Sequence, residues 1–208
     1  MKIGIYGGTF NPPHRGHMQA ARQAVELLNL DKLLLIPDHA PPHKTMPEGT
    51  PAAQERLELV RLTAREIPRA EASDLELLRE GRSYTADTVE LLHRTYPGDE
   101  LFLLMGTDMF LAFPQWREPE KICRYATLVV MLREREEPKL QQELQAQAQH
   151  IRKKLDGKVK FLKNEALPMI RRDMIRPAIE TSWKFPLSGS YSAAIRAAVA
   201  VTSYLAAG

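Results

Sequence analysis

The amino-acid sequence predicts an α/β fold, a doubly wound parallel sheet flanked by helices, with a small helical part at the C-terminal end. Three observations lead there. The run Lys2-Ile3-Gly4-Ile5-Tyr6 reads as a buried strand that empties into a glycine-rich turn and then a helical pattern. Short apolar runs recur at Leu33–Ile36, Leu101–Met105 and Thr127–Leu132, as suits strands buried on both faces. Strand, helix, strand in that order implies right-handed parallel units whose ligands gather outside the carboxyl ends of the strands.

At 208 residues the chain is long enough for one sizeable domain, so residues 1–208 are expected to form a single unit. A net charge of +3 is mild, and no polybasic run argues for nucleic acid; a phosphate-rich small substrate accounts for the basic residues as well. The single cysteine, Cys123, cannot close an internal disulfide, and its flanks predict a packed thiol in a short helix rather than a nucleophile. Without a signal-like segment or a long apolar run, the expectation is a cytoplasmic protein with no membrane contact.

The first strand leads into Gly7-Gly8-Thr9-Phe10-Asn11-Pro12-Pro13-His14-Arg15-Gly16-His17. Two glycines let the backbone approach a bulky anion, and the helix that follows aims its free N–H groups and positive dipole end at phosphate. If Gly16 and His17 open that helix, His14 and His17 are brought toward one anion, where both imidazoles can donate to a phosphoryl group under attack. That is the chemistry of nucleotidyl transfer. Met18, Ala21, Val25 and Leu28 continue the helix at core spacing, and Asn29 closes it.

After the strand Leu33–Ile36, the loop Pro37-Asp38-His39-Ala40-Pro41-Pro42-His43-Lys44 emerges on the same edge, with prolines fixing its path. Lys44 is a candidate to meet a phosphate, with His39 and His43 beside it. A helix is signalled from Thr50 by Pro51 and by Leu57, Val60, Leu62 and Ala64, with Gln54, Glu55 and Arg56 expected to be exposed; it reads as plain scaffold. Glu71 to Leu78 alternates loosely, as an edge strand would. In Ser83-Tyr84-Thr85-Ala86-Asp87-Thr88, Ser83 or Thr85 is a natural N-cap for the helix that follows.

Leu101–Met105 is the clearest central strand and empties into Gly106-Thr107-Asp108, where the glycine permits close approach and the aspartate can accept from ribose hydroxyls. Trp116 follows Pro114-Gln115 in a polar setting and is a candidate to stack on a substrate ring. Residues 139 to 155 read as a solvated helix, and Val159–Leu162 as the last parallel strand.

Taken together, these segments resemble the nucleotidyltransferase superfamily, and within it the bacterial nicotinate mononucleotide adenylyltransferases. The resemblance rests on Gly7-Gly8-Thr9-Phe10 with His14-Arg15-Gly16-His17, on Pro41-Pro42-His43-Lys44, on the element at 83–88, on Gly106-Thr107-Asp108 and on Arg133 after the fifth strand. It covers residues 1 to about 165, a Rossmann-like core by implication, and leaves 166–208 as a divergent C-terminal segment. It implies transfer of the adenylyl group of ATP to nicotinate mononucleotide, with Mg²⁺ carried by the ATP phosphates and no protein metal cage. His14, His17 and Lys44 are then the catalytic candidates. Gly7, Gly8, Thr9, Phe10, His17, Gly106, Asp108 and Arg133 would line the ATP side, and His39, His43, Lys44, Tyr84, Thr85 and Trp116 the mononucleotide side. A homo-oligomer is left open.

Past Leu167-Pro168-Met169 the chain departs from the family, which continues with a Ser-Ser-Thr cluster and Ile-Arg over the ATP phosphates. Here Ile170-Arg171 follows Met169 without those hydroxyls, and a serine-bearing copy stands downstream at Ser188–Arg196, with Ser192 and Arg196 as clamp candidates. An insertion with function kept, loss of the clamp, and an artefact of the sequence all remain open readings. The rival functions are accordingly another transferase of the superfamily, or a nucleotide sensor that has lost turnover.

Overall fold

The computed structural model describes residues 1–39, 50–79, 81–132 and 137–163. Six strands, β1 (Lys2–Gly8), β2 (Lys32–Pro37), β3 (Ala70–Ala72), β4 (Glu100–Gly106), β5 (Ala126–Leu132) and β6 (Val159–Lys163), make one sheet in the order β3-β2-β1-β4-β5-β6. Every pairing is parallel, with Ile5 opposite both Leu34 and Leu103. Helices α1 (Arg15–Leu28), α2 (Ala53–Arg65) and α3 (Thr85–Thr95) follow the first three strands. Between β4 and β5 come α4 (Thr107–Ala112), a 3-10 turn (Phe113–Gln115) and α5 (Pro119–Tyr125), and α6 (Pro138–Lys154) precedes β6.

Side chains alternate across a strand, so each apolar run feeds two cores. Ile3, Ile5, Leu34, Ile36, Leu103 and Met105 face Val89 and Leu92 of α3, Ile122 of α5 and Leu144, Ala148 and Ile151 of α6. On the opposite face Leu33, Leu35, Phe102 and Leu104 meet Met18, Ala21 and Val25 of α1 and Val60 and Ala64 of α2. This explains why the strands read as continuously apolar: neither face meets water. The fold is a Rossmann-like doubly wound sheet. The chain winds outward from β1 to β3, crosses back to β4, and winds outward again to β6. The strand order therefore reverses between β1 and β4, opening a crevice outside their carboxyl ends, where Gly7, Gly8 and Gly106 stand.

Two expectations are corrected. The edge strand spans only Ala70–Ala72, not Glu71 to Leu78, because the backbone turns back at Asp74, whose carbonyl accepts from Leu77 and Leu78. On α2, Leu62 is exposed and Arg56 is buried, the reverse of the sequence reading. Residues 56, 60, 63 and 64 share one helical stripe, and that stripe is the one turned to the sheet. Cys123 lies buried in α5 as expected, and burial pushes its thiol up to about 11. Among the described residues, no helix is long and apolar enough to cross a membrane.

Candidate active site

His14 and His17 form the start of α1. His14 is the N-cap, in extended conformation. Its Nδ1 accepts from the His17 backbone N–H at 3.4 Å, and the His17 Nδ1 accepts from the His14 backbone N–H at 3.2 Å. Imidazoles thus play both parts of a capping box. The reciprocal bonds stack the rings, with centroids 3.7 Å apart. They also fix the tautomers: a ring whose Nδ1 accepts must, when neutral, carry its proton on Nε2. Each ring therefore presents an Nε2–H donor. No acidic residue occupies the first turn, so the positive end of the 14-residue helix is not countered there.

Burial keeps both histidines neutral. The His17 pKa is pushed down to about 3, chiefly because its ring is desolvated and secondarily by the neighbouring His14; burial lowers His14 as well. An unfolded chain takes up the His17 proton near 6.5, so between that pH and about 3 the unfolded state holds a proton that the folded state lacks. Stability contributed by the neutral ring is present above pH 6.5 and is lost as pH falls toward 3. For one fully displaced proton the slope is about 1.4 kcal/mol per pH unit. Urea denaturation of His17→Asn and the wild type from pH about 6.5 to about 4.5 should give the variant a shallower loss of stability by about that slope. Parallel curves would mean that His17 is not held neutral by the fold.

The turn before the histidines is seated on aromatic rings. Phe10 lies 3% exposed, its centroid 5.8 Å from Tyr6 and 5.1 Å from His17. Phe10 is an ATP-side candidate whose ring is packed in the core beside His17. Thr9, another ATP-side candidate, donates from Oγ1 to Asp38 Oδ2 at 2.9 Å. Among the described residues, Gly7 and Gly106 each have open space where a Cβ would stand.

On the mononucleotide side, the loop after β2 is tied to the segment that opens α3. His39, with an exposed ring, donates its N–H to Ser83 Oγ at 3.1 Å. Ser83 in turn bonds Glu76, a buried carboxyl that also accepts from Thr88 Oγ1 at 2.7 Å; Arg79 donates to the same Thr88 oxygen. Burial raises the Glu76 pKa, against the lowering effect of those hydroxyls and of Arg79. Neither Ser83 nor Thr85 caps α3: the N-cap is Tyr84, without a side-chain bond, and Ser83 is drawn inward by Glu76 and His39.

Gly106 is the N-cap of α4 and Asp108 lies exposed in its first turn, beside the carboxyl end of β4. Trp116 is half-buried, tilted against Phe113 at 5.5 Å and packed on the core. Its neighbour Arg117, which the sequence reading passed over, lies 4.6 Å from the Tyr84 ring centroid and pairs with Asp87 at 3.5 Å. The segment bearing Trp116 is thereby tied to the start of α3. Among the described residues, no group of three or more His, Cys, Asp or Glu is placed to hold a metal. The candidates His43, Lys44, Arg133, Ser192 and Arg196 lie outside the described residues.

Residues 5–190 match the model of the cytidylyltransferase-like family. A protein of Shouchella clausii described as a probable nicotinate-nucleotide adenylyltransferase is 39% identical over 132 residues, 64% of this chain and 68% of that one. One of Thermus thermophilus with the same description is 44% identical over 133 residues, 64% of this chain and 70% of the other. Among solved structures, the Plasmodium falciparum nicotinic acid mononucleotide adenylyltransferase complexed with NaAD superposes with a TM-score of 0.65 at 16% identity, over 86% of this chain and 83% of that one. At that identity the likeness establishes the fold.

Proposed function

The chain belongs to the cytidylyltransferase-like family, and from that premise we propose that it transfers the adenylyl group of ATP to nicotinate mononucleotide, yielding deamido-NAD and pyrophosphate. The observation that carries the transfer chemistry is the stacked, neutral His14–His17 pair at the end of β1, beside the switch point of the sheet. The descriptions of the Shouchella and Thermus relatives support the acceptor.

In this reading a 5′-phosphate oxygen of the mononucleotide attacks the α-phosphorus of ATP and the bond to pyrophosphate breaks. The nucleophile is already an anion, so no general base or covalent enzyme intermediate is required. The protein's part is positioning and charge stabilisation. The Nε2–H groups of His14 and His17 donate to the oxygens that gain charge in the transition state, and the start of α1 adds its dipole end. Being neutral, the rings donate at physiological pH without first taking up a proton. Mg²⁺ would supply further neutralisation of the polyphosphate. Two imidazoles with Nδ1 engaged and Nε2 protonated are poor ligands for so hard a cation, so its oxygens come from the nucleotide. Asp108 is assigned to the ribose hydroxyls, Lys44 to phosphate, Arg133 to the nucleotide, and Ser192 with Arg196 to a downstream ATP clamp.

The deciding experiment offers the protein Mg-ATP with a panel of phosphorylated acceptors and follows pyrophosphate release beside calorimetry with ATP. Release with nicotinate mononucleotide and little with phosphopantetheine or a choline phosphate is the expected pattern. Release with a different acceptor assigns the chain to another reaction of the family, and tight ATP binding with no release from any acceptor makes it a nucleotide sensor.

A further inference from the structure

We propose that Arg56 is a positioning residue for the transfer site, holding the Thr9–Phe10 corner, and through it His17, against the end of β2. Arg56 is 1% exposed, a burial that a guanidinium tolerates only when it is paired and hydrogen-bonded. Its Nη1 donates to the Thr9 carbonyl at 2.6 Å and to Asp38 Oδ1 at 3.1 Å, and its Nη2 to the carbonyls of Asp38 at 2.6 Å and His39 at 3.4 Å. Asp38 closes the ring of contacts by accepting from Thr9 Oγ1, and its own N–H donates to the Gly8 carbonyl at 3.0 Å. One planar group on α2 thus binds the turn after β1 to the loop after β2, the two segments that carry candidates for both substrates.

The grip falls on a corner that needs it. Phe10, next to Thr9, has φ of 45°, a left-handed conformation that a non-glycine residue keeps only where its surroundings over-determine it. The Phe10 ring then packs edge-on against His17. Displacement of the Thr9 carbonyl is therefore passed through Phe10 to the imidazole that faces the reacting phosphate. The Nη donors of Arg56 are turned to protein carbonyls and a carboxylate, and its buried Nε has no partner among the described residues, so its grip on the site runs through the Thr9, Asp38 and His39 backbone. A lysine has its donors at one point and cannot span acceptors on three residues.

The rate readout rests on the transfer reading; the second readout does not. Arg56→Lys and Asp38→Asn should be compared with wild type at a temperature where circular dichroism finds each folded. The expected result is a fall in kcat on the order of a hundredfold, the size that a misplacement of about 1 Å produces, with KM for either substrate within a few-fold. In parallel, the His17 ring signals followed by NMR should titrate closer to an ordinary histidine as its seat loosens. If Arg56→Lys does not fold, Asp38→Asn, nearly isosteric, carries the test. Full kcat in the folded variants, a rise in KM for ATP alone, or an unmoved His17 titration would each overturn the proposal. Should wild type itself release no pyrophosphate, the transfer reading fails, and the His17 titration alone decides whether Arg56 positions that ring.

Discussion

His17→Ala is expected to lower turnover by two to three orders of magnitude, the effect of deleting one preorganised donor aimed at a developing oxyanion, about 3 kcal/mol. The substitution removes two things at once: the Nε2–H donor and the acceptor that satisfies the His14 backbone N–H. The second loss is one of stability, of about 1 kcal/mol for a helix cap. His17→Asn separates them, because an amide oxygen can still accept from His14 while no donor reaches where Nε2 stood. Both variants should lose turnover, and only the alanine should lose stability as well. His14→Ala should behave like His17→Ala, since the capping box is reciprocal. Steady-state pyrophosphate release at saturating substrates measures this. Turnover within a few-fold of wild type at unchanged stability would remove the histidines from the chemistry.

Nicotinate mononucleotide is expected to be used about a hundredfold more efficiently than its amide counterpart, a preference of a few kcal/mol. The acid offers a full negative charge and only acceptor atoms, whereas the amide brings an NH₂ that needs a carbonyl. α3 opens at Thr85 after the extended Tyr84, and the first N–H groups of a helix lack partners within it, at the positive end of its dipole. Asp87 in the same turn would oppose an incoming carboxylate, but Arg117 pairs with it at 3.5 Å while lying over the Tyr84 ring. Comparing kcat/KM for the two mononucleotides tests the account, and equal values, or a preference for the amide, would refute it.

Much of the fold was legible because local patterns and tertiary burial agree. A strand buried on both faces must be apolar at every position, and Leu33–Ile36, Leu101–Met105 and Leu128–Val130 are. The helix following the first turn declared itself through Met18, Ala21, Val25 and Leu28, all buried, and through Asn29, which takes the left-handed C-cap with φ of 50°. Glycines at strand ends and histidines spaced three apart pointed to the switch point before any strand order was known.

Other features depend on which segments meet, and no periodicity within one segment carries that. Arg56 illustrates the limit. Its place on the stripe of Val60 and Ala64 was readable at helical spacing, yet a charged residue is ordinarily placed in water. Only the carbonyls of Thr9, Asp38 and His39, brought from two other segments, make its burial favourable. Ser83 is a similar case: as a local signal it is an N-cap, but the Glu76 carboxyl and the His39 N–H draw its hydroxyl inward and leave Tyr84 at the cap. The sequence by itself determined the parallel α/β class, the glycine and histidine turn and the crevice-forming strand ends, since these follow from local pattern and chain direction. The Arg56 clamp and the Arg117–Tyr84 contact were decided by tertiary structure alone. Each is a bond or contact whose geometry is set by how the chain packs, and whose favourable energy exists only once water has been replaced by a specific partner.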